Sequence, residues 1–596
     1  MPNRPSLPSL KAEQRVKLGG VVIALLAMIF LSRVAQIMLS PPHQIREEVE
    51  NLAYAYGFTR SQPLARGLIF DRKGYPLTLN ALHYRLAAYV DRIKAEGAER
   101  EIIVKKLARI LKRDEGELKA CLEKYKLNAD GTQALNYYCL LAQELDEAGR
   151  KNLELALMEA FGEDGKLPNW LGFEPFPVRF HPEGRLASHI LGTYLPQGDI
   201  KLGVEAYYDA FLSGKEKPSP SFSVGEMDLP LASTADGCSL ILTIDRDVQR
   251  AAEEILRETI FSSGAERGVI VVQDIGTGEI LAMASYPDYN PDSPAESPQE
   301  FLTNQAITSL YEPGSVFKLI TYAAALDSGL INPNSPFYDE GFINVGGHVI
   351  KNFGGVAYGD VDATKALALS INVVAVKINL ALGPQVYYTY VRRFGFDYRT
   401  GIDLPGESYP IVKFPGEKGW SYTDLGTNAF GQGISVTPIQ MSAAIAAIAN
   451  KGLLMRPRVV SGLVCDGKLY KLPLEKYVVR RVISPESASA LTQMMEGVVE
   501  YWKQYADVTG YSAAGKSGTA EIPTLSGYEP SQPPIVSFGG FVPARNPRVA
   551  ILVRIDKPVG RTTGMELAAP AFSKLAYKTM RILGVPPDEP EELSGR

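Results

Sequence analysis

The sequence predicts an α+β protein carried on one N-terminal membrane-spanning helix, and three observations point there. An apolar run of 22 residues with one charge occupies Leu18 to Leu39. Strand patterns open and close the C-terminal part of the chain, and helical patterns fill the stretch between them. Strands from distant segments with helices in the middle describe a sheet closed late and flanked by helices.

A run of 22 residues suffices to span a bilayer, which takes about 20 as a helix. Its one charge, Arg33, lies near the outer end, where a long side chain reaches the interface. Arg4, Lys11, Arg15 and Lys17 precede the run, whereas Glu47, Glu48 and Glu50 follow it with Arg46. The positive-inside bias leaves 1–17 as a cytoplasmic tail and places everything after residue 40 outside the membrane. The run exceeds a signal-peptide core, and no small-x-small cleavage site follows, so a retained anchor is expected.

Beyond the anchor, Ala65 to Gly74 reads as a short strand and tight turn. Residues 91–165 are charged with helical spacing at Ile102, Ile103, Leu107, Ile110 and Leu111, which predicts a helical insertion in a mixed domain spanning 40–225. Ser213 to Gly237, rich in Ser, Pro, Gly and Lys, reads as a linker.

The part spanning 226–585 opens with a strand at Ser239–Ile244 and a helix from about Asp247. Arg267–Ile275 and Glu279–Ser285 flank Gly276-Thr277-Gly278 as a hairpin. Helices are expected at 315–327, 363–381, 437–451 and 570–583, and strands at Val536–Val542 and Arg548–Ile555. The acidic, Pro-containing tail at 586–596 is expected to be disordered.

Composition excludes more than it selects. A net charge of −5 gives no reason to expect nucleic acid as a partner. Five histidines form no H-E-x-x-H, and four cysteines, Cys121, Cys139, Cys238 and Cys465, match no metal-ligand spacing. No metal or organic cofactor is implied. Cys121 and Cys139 are near enough to pair, but buried free thiols are the expectation for all four.

Ser315 is the one serine in the chain followed three residues later by lysine, Lys318. Pro313-Gly314 breaks the chain before it and helix formers follow, so Ser315 belongs at a helix start, one turn from Lys318 on the same face. Backbone N–H groups are free there. Two more elements follow: Ser370-Ile371-Asn372, and Lys516-Ser517-Gly518-Thr519. A serine needs an adjacent base to become nucleophilic, and a lysine serves only when neutral. Burial and a second cation, Lys516, would make Lys318 so. Taken singly, each motif favours the plainer reading: Ser315 as an N-cap, Asn372 as a helix-surface amide and Lys516 as a solvated edge-strand lysine. The three together, in this order, form the S-x-x-K, S-x-N, K-[ST]-G set.

That set, with Arg66-Gly67-Leu68-Ile69-Phe70-Asp71-Arg72, His189-Ile190-Leu191-Gly192, Thr400-Gly401-Ile402-Asp403-Leu404-Pro405-Gly406-Glu407 and Gly431-Gln432-Gly433, resembles the class B penicillin-binding proteins. The resemblance implies a pedestal, or dimerisation, domain at 40–225 and a β-lactamase-like transpeptidase domain at 226–585, with a central antiparallel sheet flanked by helices. It implies that Ser315 is acylated by the penultimate D-Ala of a peptidoglycan stem peptide, and that β-lactams acylate the same atom. Lys318 would act as base, Ser370 as proton relay, Asn372 as a support for Lys318 and substrate, and Lys516 as a fixed positive charge for the substrate carboxylate. The N–H groups of Ser315 and Thr519 would form the oxyanion hole, and the small Ser517-Gly518 pair would let substrate pair with the strand.

Ser517 stands where Thr is common, and Ile371 where Asp is; both are mild departures. No glycosyltransferase domain fits between anchor and pedestal, so the resemblance implies a partner, a SEDS-type polytopic glycosyltransferase, among divisome or elongasome proteins. The rival readings are a serine β-lactamase, a D-Ala-D-Ala carboxypeptidase, or a non-catalytic β-lactam sensor or divisome scaffold.

Overall fold

The structure is a computed structural model that describes residues 66–589, apart from 128–132, 163, 196–200, 216–217, 219–222, 227–236, 472, 525–526 and 529–531. The expected anchor at 18–39 and the tail at 1–17 lie outside the described residues, among which no helix is long and apolar enough to cross a membrane.

The central sheet has five strands in the order Ile280–Tyr286, Arg267–Asp274, Val549–Asp556, Ile535–Val542, Ala514–Ala520, all antiparallel. The expected hairpin, Arg267 to Tyr286, supplies its first two strands, and segments from Ala514 to Asp556 supply the rest. Val549–Asp556 is buried at every position, which requires cover on both faces. Gly539 and Gly540 show which helices cover each face. A Cβ on Gly539 would lie 2.4 Å from Ile445 of the helix Pro438–Ala449, and one on Gly540 would lie 3.1 Å from Phe572 of the helix Gly564–Ile582. Successive residues of a strand face opposite ways, so these two helices sandwich the sheet. Each fully buried Val, Ile or Phe here contributes roughly 1.5–3 kcal/mol.

Local chemistry sets the helix ends. Thr437 and Gln440 form a capping box, with Pro438 at the first helical position. Asp245 caps Arg246–Ser263 through bonds from the Asp247 and Val248 amides, and Gly264 ends it at φ +61°.

A second sheet joins the two parts of the chain. Ile69–Phe70 runs parallel to Ser239–Leu242, which pairs with Val460–Cys465, then Lys468–Lys471 and Ser223–Glu226. Buried Arg66 ties this joint together, donating to Glu205 at 2.6 Å and Asp209 at 2.7 Å, while Arg179 pairs with the other Glu205 oxygen. A third sheet, Tyr138–Leu145, Leu79–Tyr89, Leu171–Phe180, carries a separate hydrophobic core around Leu107, Leu118 and Leu157.

Five expectations are corrected. Residues 91–165 are not simply helical. Helices Ala98–Leu111, Glu115–Cys121 and Glu147–Phe161 alternate with a small hairpin and the strand Tyr138–Leu145, which tertiary pairing with Leu79–Tyr89 recruits. The Ser213–Gly237 linker contributes the strand Ser223–Glu226. The last helix starts at Gly564, not at Pro570, because Thr563 caps it through the Glu566 amide; Pro570 sits inside. The tail docks as far as Glu589: the Ser512 amide donates to Asp588 at 2.8 Å and Arg545 to Glu589 at 2.7 Å. Finally, no cysteine of the four is free, since Cys121 bonds to Cys139 and Cys238 to Cys465. The second pair is 227 residues apart in sequence, but Ser239 lies opposite Val464 in the ladder, which brings the flanking cysteines together.

Candidate active site

The nucleophile turn is built by backbone pairing with a distant loop. Tyr311 and Val436 exchange both N–H···O bonds at 3.0 Å, and the Gly314 amide donates to the Gly431 carbonyl at 3.2 Å. The buried Glu312 carboxylate accepts from the Gly433 amide at 2.9 Å and from the Tyr528 hydroxyl at 2.9 Å. In the sequence, the place of Glu312 beside Pro313-Gly314 is the one local signal for this clasp. A 3₁₀ turn, Gly314–Phe317, then runs into the α-helix Lys318–Asp327. That helix is buried at every position from Lys318 to Leu326 and lies inside the core, while Ser315 remains part-exposed at its mouth.

Lys318 is wholly buried, and its side chain points back past Ser315. Its Nζ lies 3.1 Å from Ser315 Oγ, 3.1 Å from Ser370 Oγ, 2.8 Å from Asn372 Oδ1 and 2.5 Å from the Ser370 carbonyl. Burial, and then the charge of Lys516, hold its pKa well below that of an ordinary lysine. A neutral amine has two N–H groups and one lone pair. The carbonyl oxygens of Ser370 and Asn372 take the two donors, which leaves the lone pair for a hydroxyl proton.

The expected helix at 363–381 is broken, and the break makes the site. One helix ends at Ala368 and the next begins at Asn372. Ser370 stands between them at φ +58°, a left-handed conformation that costs a non-glycine residue energy. The Ile371 amide returns to the Ala366 carbonyl at 2.9 Å, and Trp502 Nε1 donates to the Ala368 carbonyl at 3.0 Å. The turn directs both the carbonyl and the hydroxyl of Ser370 at Lys318. An unbroken helix would have turned them into its own hydrogen-bond ladder.

Lys516, Ser517, Gly518 and Thr519 lie on Ala514–Ala520, the edge strand of the central sheet, paired on one side with Ile535–Val542. Side chains would obstruct this strand's approach to the nucleophile turn. A Cβ on Gly518 would lie 2.8 Å from the Pro313 carbonyl, and one on Gly314 would lie 2.8 Å from the Thr519 carbonyl. Gly314 also sits at φ +55°. The Thr519 hydroxyl accepts from the Gly564 amide at 3.2 Å, at the start of the helix Gly564–Ile582. Lys516 Nζ donates to the Ser517 carbonyl at 3.0 Å and is fully buried. Burial pushes its pKa down to about 7, so the free site does not hold a fixed cation at neutral pH.

Ser315, Lys318, Ser370 and Asn372 are thus brought together by direct contacts, and Lys516 joins them electrostatically. The segment Ser517–Thr519 closes the other side of the cleft. Asn372 Nδ2 also donates to the Lys351 carbonyl at 3.0 Å, a partner with no signal in the sequence.

The chain matches the family described as penicillin binding protein transpeptidase domain over residues 268–577, and the penicillin-binding protein dimerisation domain over 61–219. Stage V sporulation protein D of Bacillus subtilis is 34% identical over 69% of this chain and 65% of its own length, so this chain spans just under two thirds of that relative. Penicillin-binding protein PbpB of Mycobacterium tuberculosis is 28% identical over 96% of this chain and 85% of its own. Among solved structures, penicillin-binding protein 3 from Mycobacterium tuberculosis complexed with aztreonam superposes with a TM-score of 0.65 at 26% identity, covering 89% of this chain and 98% of that one.

Proposed function

Since the chain belongs to the class B penicillin-binding proteins, we propose that it is a peptidoglycan D,D-transpeptidase in which Ser315 carries the acyl group. The observation that carries this reading is the fully buried Lys318 amine, 3.1 Å from the hydroxyls of both Ser315 and Ser370. Ser315 Oγ attacks the penultimate D-Ala carbonyl of a donor stem peptide as its proton passes to neutral Lys318. The tetrahedral oxyanion is held by the N–H groups of Ser315 and Thr519. The bond to the terminal D-Ala then breaks, and its nitrogen leaves with the proton returned from Lys318 through Ser370. An amine of a neighbouring stem peptide attacks the ester, gives up its proton by the reverse route and releases Ser315. One peptide bond replaces another, so the reaction needs no external energy source.

Lys516 attracts the donor carboxylate, and the free edge of Ala514–Ala520 offers backbone groups to the extended peptide. β-Lactams acylate Ser315 in the donor's place. The run Leu18–Leu39 anchors the chain in the cell membrane with the catalytic part outside, where oxidising conditions suit the two disulfides. Glycan strands are supplied by a partner, a SEDS-type glycosyltransferase of the division or elongation machinery.

Fluorescent penicillin followed by intact-mass measurement tests the reading. A stable adduct on the wild type, absent from Ser315→Ala, is expected. An unlabelled wild type, or an adduct that survives Ser315→Ala, refutes the assignment; rapid hydrolysis of the adduct would favour a β-lactamase.

A further inference from the structure

We infer that Asn352 is a positioning residue for the reaction, acting with Asp339 to place Asn372 against Lys318; this rests on the acyl-transfer reading above. The strands Phe342–Val345 and His348–Lys351 form a hairpin that lies in sequence between the two catalytic helices, and Lys351-Asn352 at its end meets the start of the second helix at Asn372 and Val373. The Lys351 carbonyl accepts from Asn372 Nδ2 at 3.0 Å, and Asn352 Oδ1 accepts from the Val373 amide at 3.0 Å. Two bonds between neighbouring pairs make a clamp that fixes both the helix start and the Asn372 side chain.

The clamp has a buried foundation. Asn352 Nδ2 donates to the Asp339 oxygens at 2.9 and 2.7 Å, and to the Val356 carbonyl at 2.9 Å. Asp339, 1% exposed, also accepts from the Gly341 amide at 3.2 Å and the Tyr358 amide at 2.9 Å. Every donor it receives is an amide, and a carboxylate held inside a protein without a cation is costly. What the carboxylate does is fix the Asn352 amide in one orientation, donors toward Asp339 and oxygen toward Val373. The orientation passes to Asn372, whose Oδ1 then faces Lys318 Nζ at 2.8 Å, leaving one Nδ2 hydrogen for substrate.

The test measures the penicillin dissociation constant Kd and the limiting acylation rate k2 on the full chain in detergent. Asn352→Asp and Asp339→Asn preserve volume but mismatch donors and acceptors. Each is expected to lower k2 at least tenfold with Kd within threefold. Asp339→Asn adds no charge and remains decisive where Asn352→Asp does not fold. A folded single variant with k2 within twofold of wild type, or one whose loss lies in Kd with k2 unchanged, overturns the inference. A wild type that is not acylated at all overturns the acyl-transfer reading itself, before any variant is compared.

Discussion

Ser370 presents two oxygens to Lys318, its carbonyl at 2.5 Å and its hydroxyl at 3.1 Å, from a backbone held at φ +58°. The carbonyl receives a donor and so orients the amine; the hydroxyl, on the same residue, is free to exchange a proton with it. Placing both on one residue requires the left-handed turn, and the helix ends on either side hold that turn in place.

Replacing Lys318 with methionine separates stability from activity. The amine is buried at a cost, and a thioether of similar length carries no such cost. Lys318→Met is expected to melt no lower than wild type while acylation by penicillin falls at least a thousandfold. A clear loss of melting temperature would show that Lys318 is needed to hold the core.

The pH profile should be set by the two lysines in opposite directions. Acylation needs Lys318 neutral and carboxylate binding needs Lys516 charged, so k2/Kd should rise and then fall with pH. The two groups interact, and the limbs report the pair. The falling limb starts near the Lys516 value of about 7. Lys516→Arg, always charged, should move that limb to much higher pH; an unmoved limb would assign it to another group.

Lys516 also ties stability to pH. Its folded pKa of about 7 lies below the usual 10.5, so across that window the unfolded chain binds more protons than the folded one. The penalty is fully present below pH 7 and is relieved as pH rises toward 10.5. Chemical denaturation of wild type and Lys516→Met at pH 6 to 9 checks this: the difference between them should shrink as pH rises.

Gly564 tests the packing behind the catalytic strand. A Cβ there would lie 2.3 Å from the carbonyls of both Gly518 and Ser537, backbone atoms with nowhere to go. Gly564→Ala is expected to displace Gly518 and Thr519 and to lower the acylation rate at least tenfold, measured by stopped-flow with a fluorescent penicillin. A wild-type rate would mean that the helix, and not the strand, gives way.

The two disulfides should have different consequences. Cys121–Cys139 closes a short loop in the separate core around Leu107 and Leu157, so its removal by paired Ser substitutions should loosen that lobe by roughly 3 kcal/mol yet leave acylation unchanged. Lost acylation would show that the lobe is coupled to the site. Limited proteolysis and penicillin labelling on one sample read both.

Much of the site was legible because its parts are local. Ser315 and Lys318 are one turn apart, and Lys516 to Thr519 are consecutive, so spacing shows which groups can meet, and the three motifs taken together point to the chemistry. The central hairpin was legible for the same reason, with Gly276-Thr277-Gly278 marking its turn. Ser370 was harder to place: no Gly or Pro marks the break at 369–371, and the turn forms because Lys318, Trp502 and the Ala366 carbonyl engage it from elsewhere. Cys238 and Cys465 were illegible as a pair for a related reason, since only the register of two strands brings them together. Asp339, Asn352 and Lys351 act through side-chain orientation and one backbone carbonyl, which leave no pattern in the sequence.

The Cys238–Cys465 bond gives the cleft a topological asymmetry. Ser315, Lys318, Ser370 and Asn372 all lie within the closed covalent ring it makes, and Lys516 to Thr519 lie beyond it. The nucleophile and its base are therefore bound into one loop of chain, whereas the strand that greets the substrate lies outside it, held by non-covalent packing on the sheet, the nucleophile turn and the helices Pro485–Tyr501 and Gly564–Ile582. The catalytic groove is a seam between a tethered wall and an untethered one, and loosening the sheet would open it without parting Ser315 from Lys318.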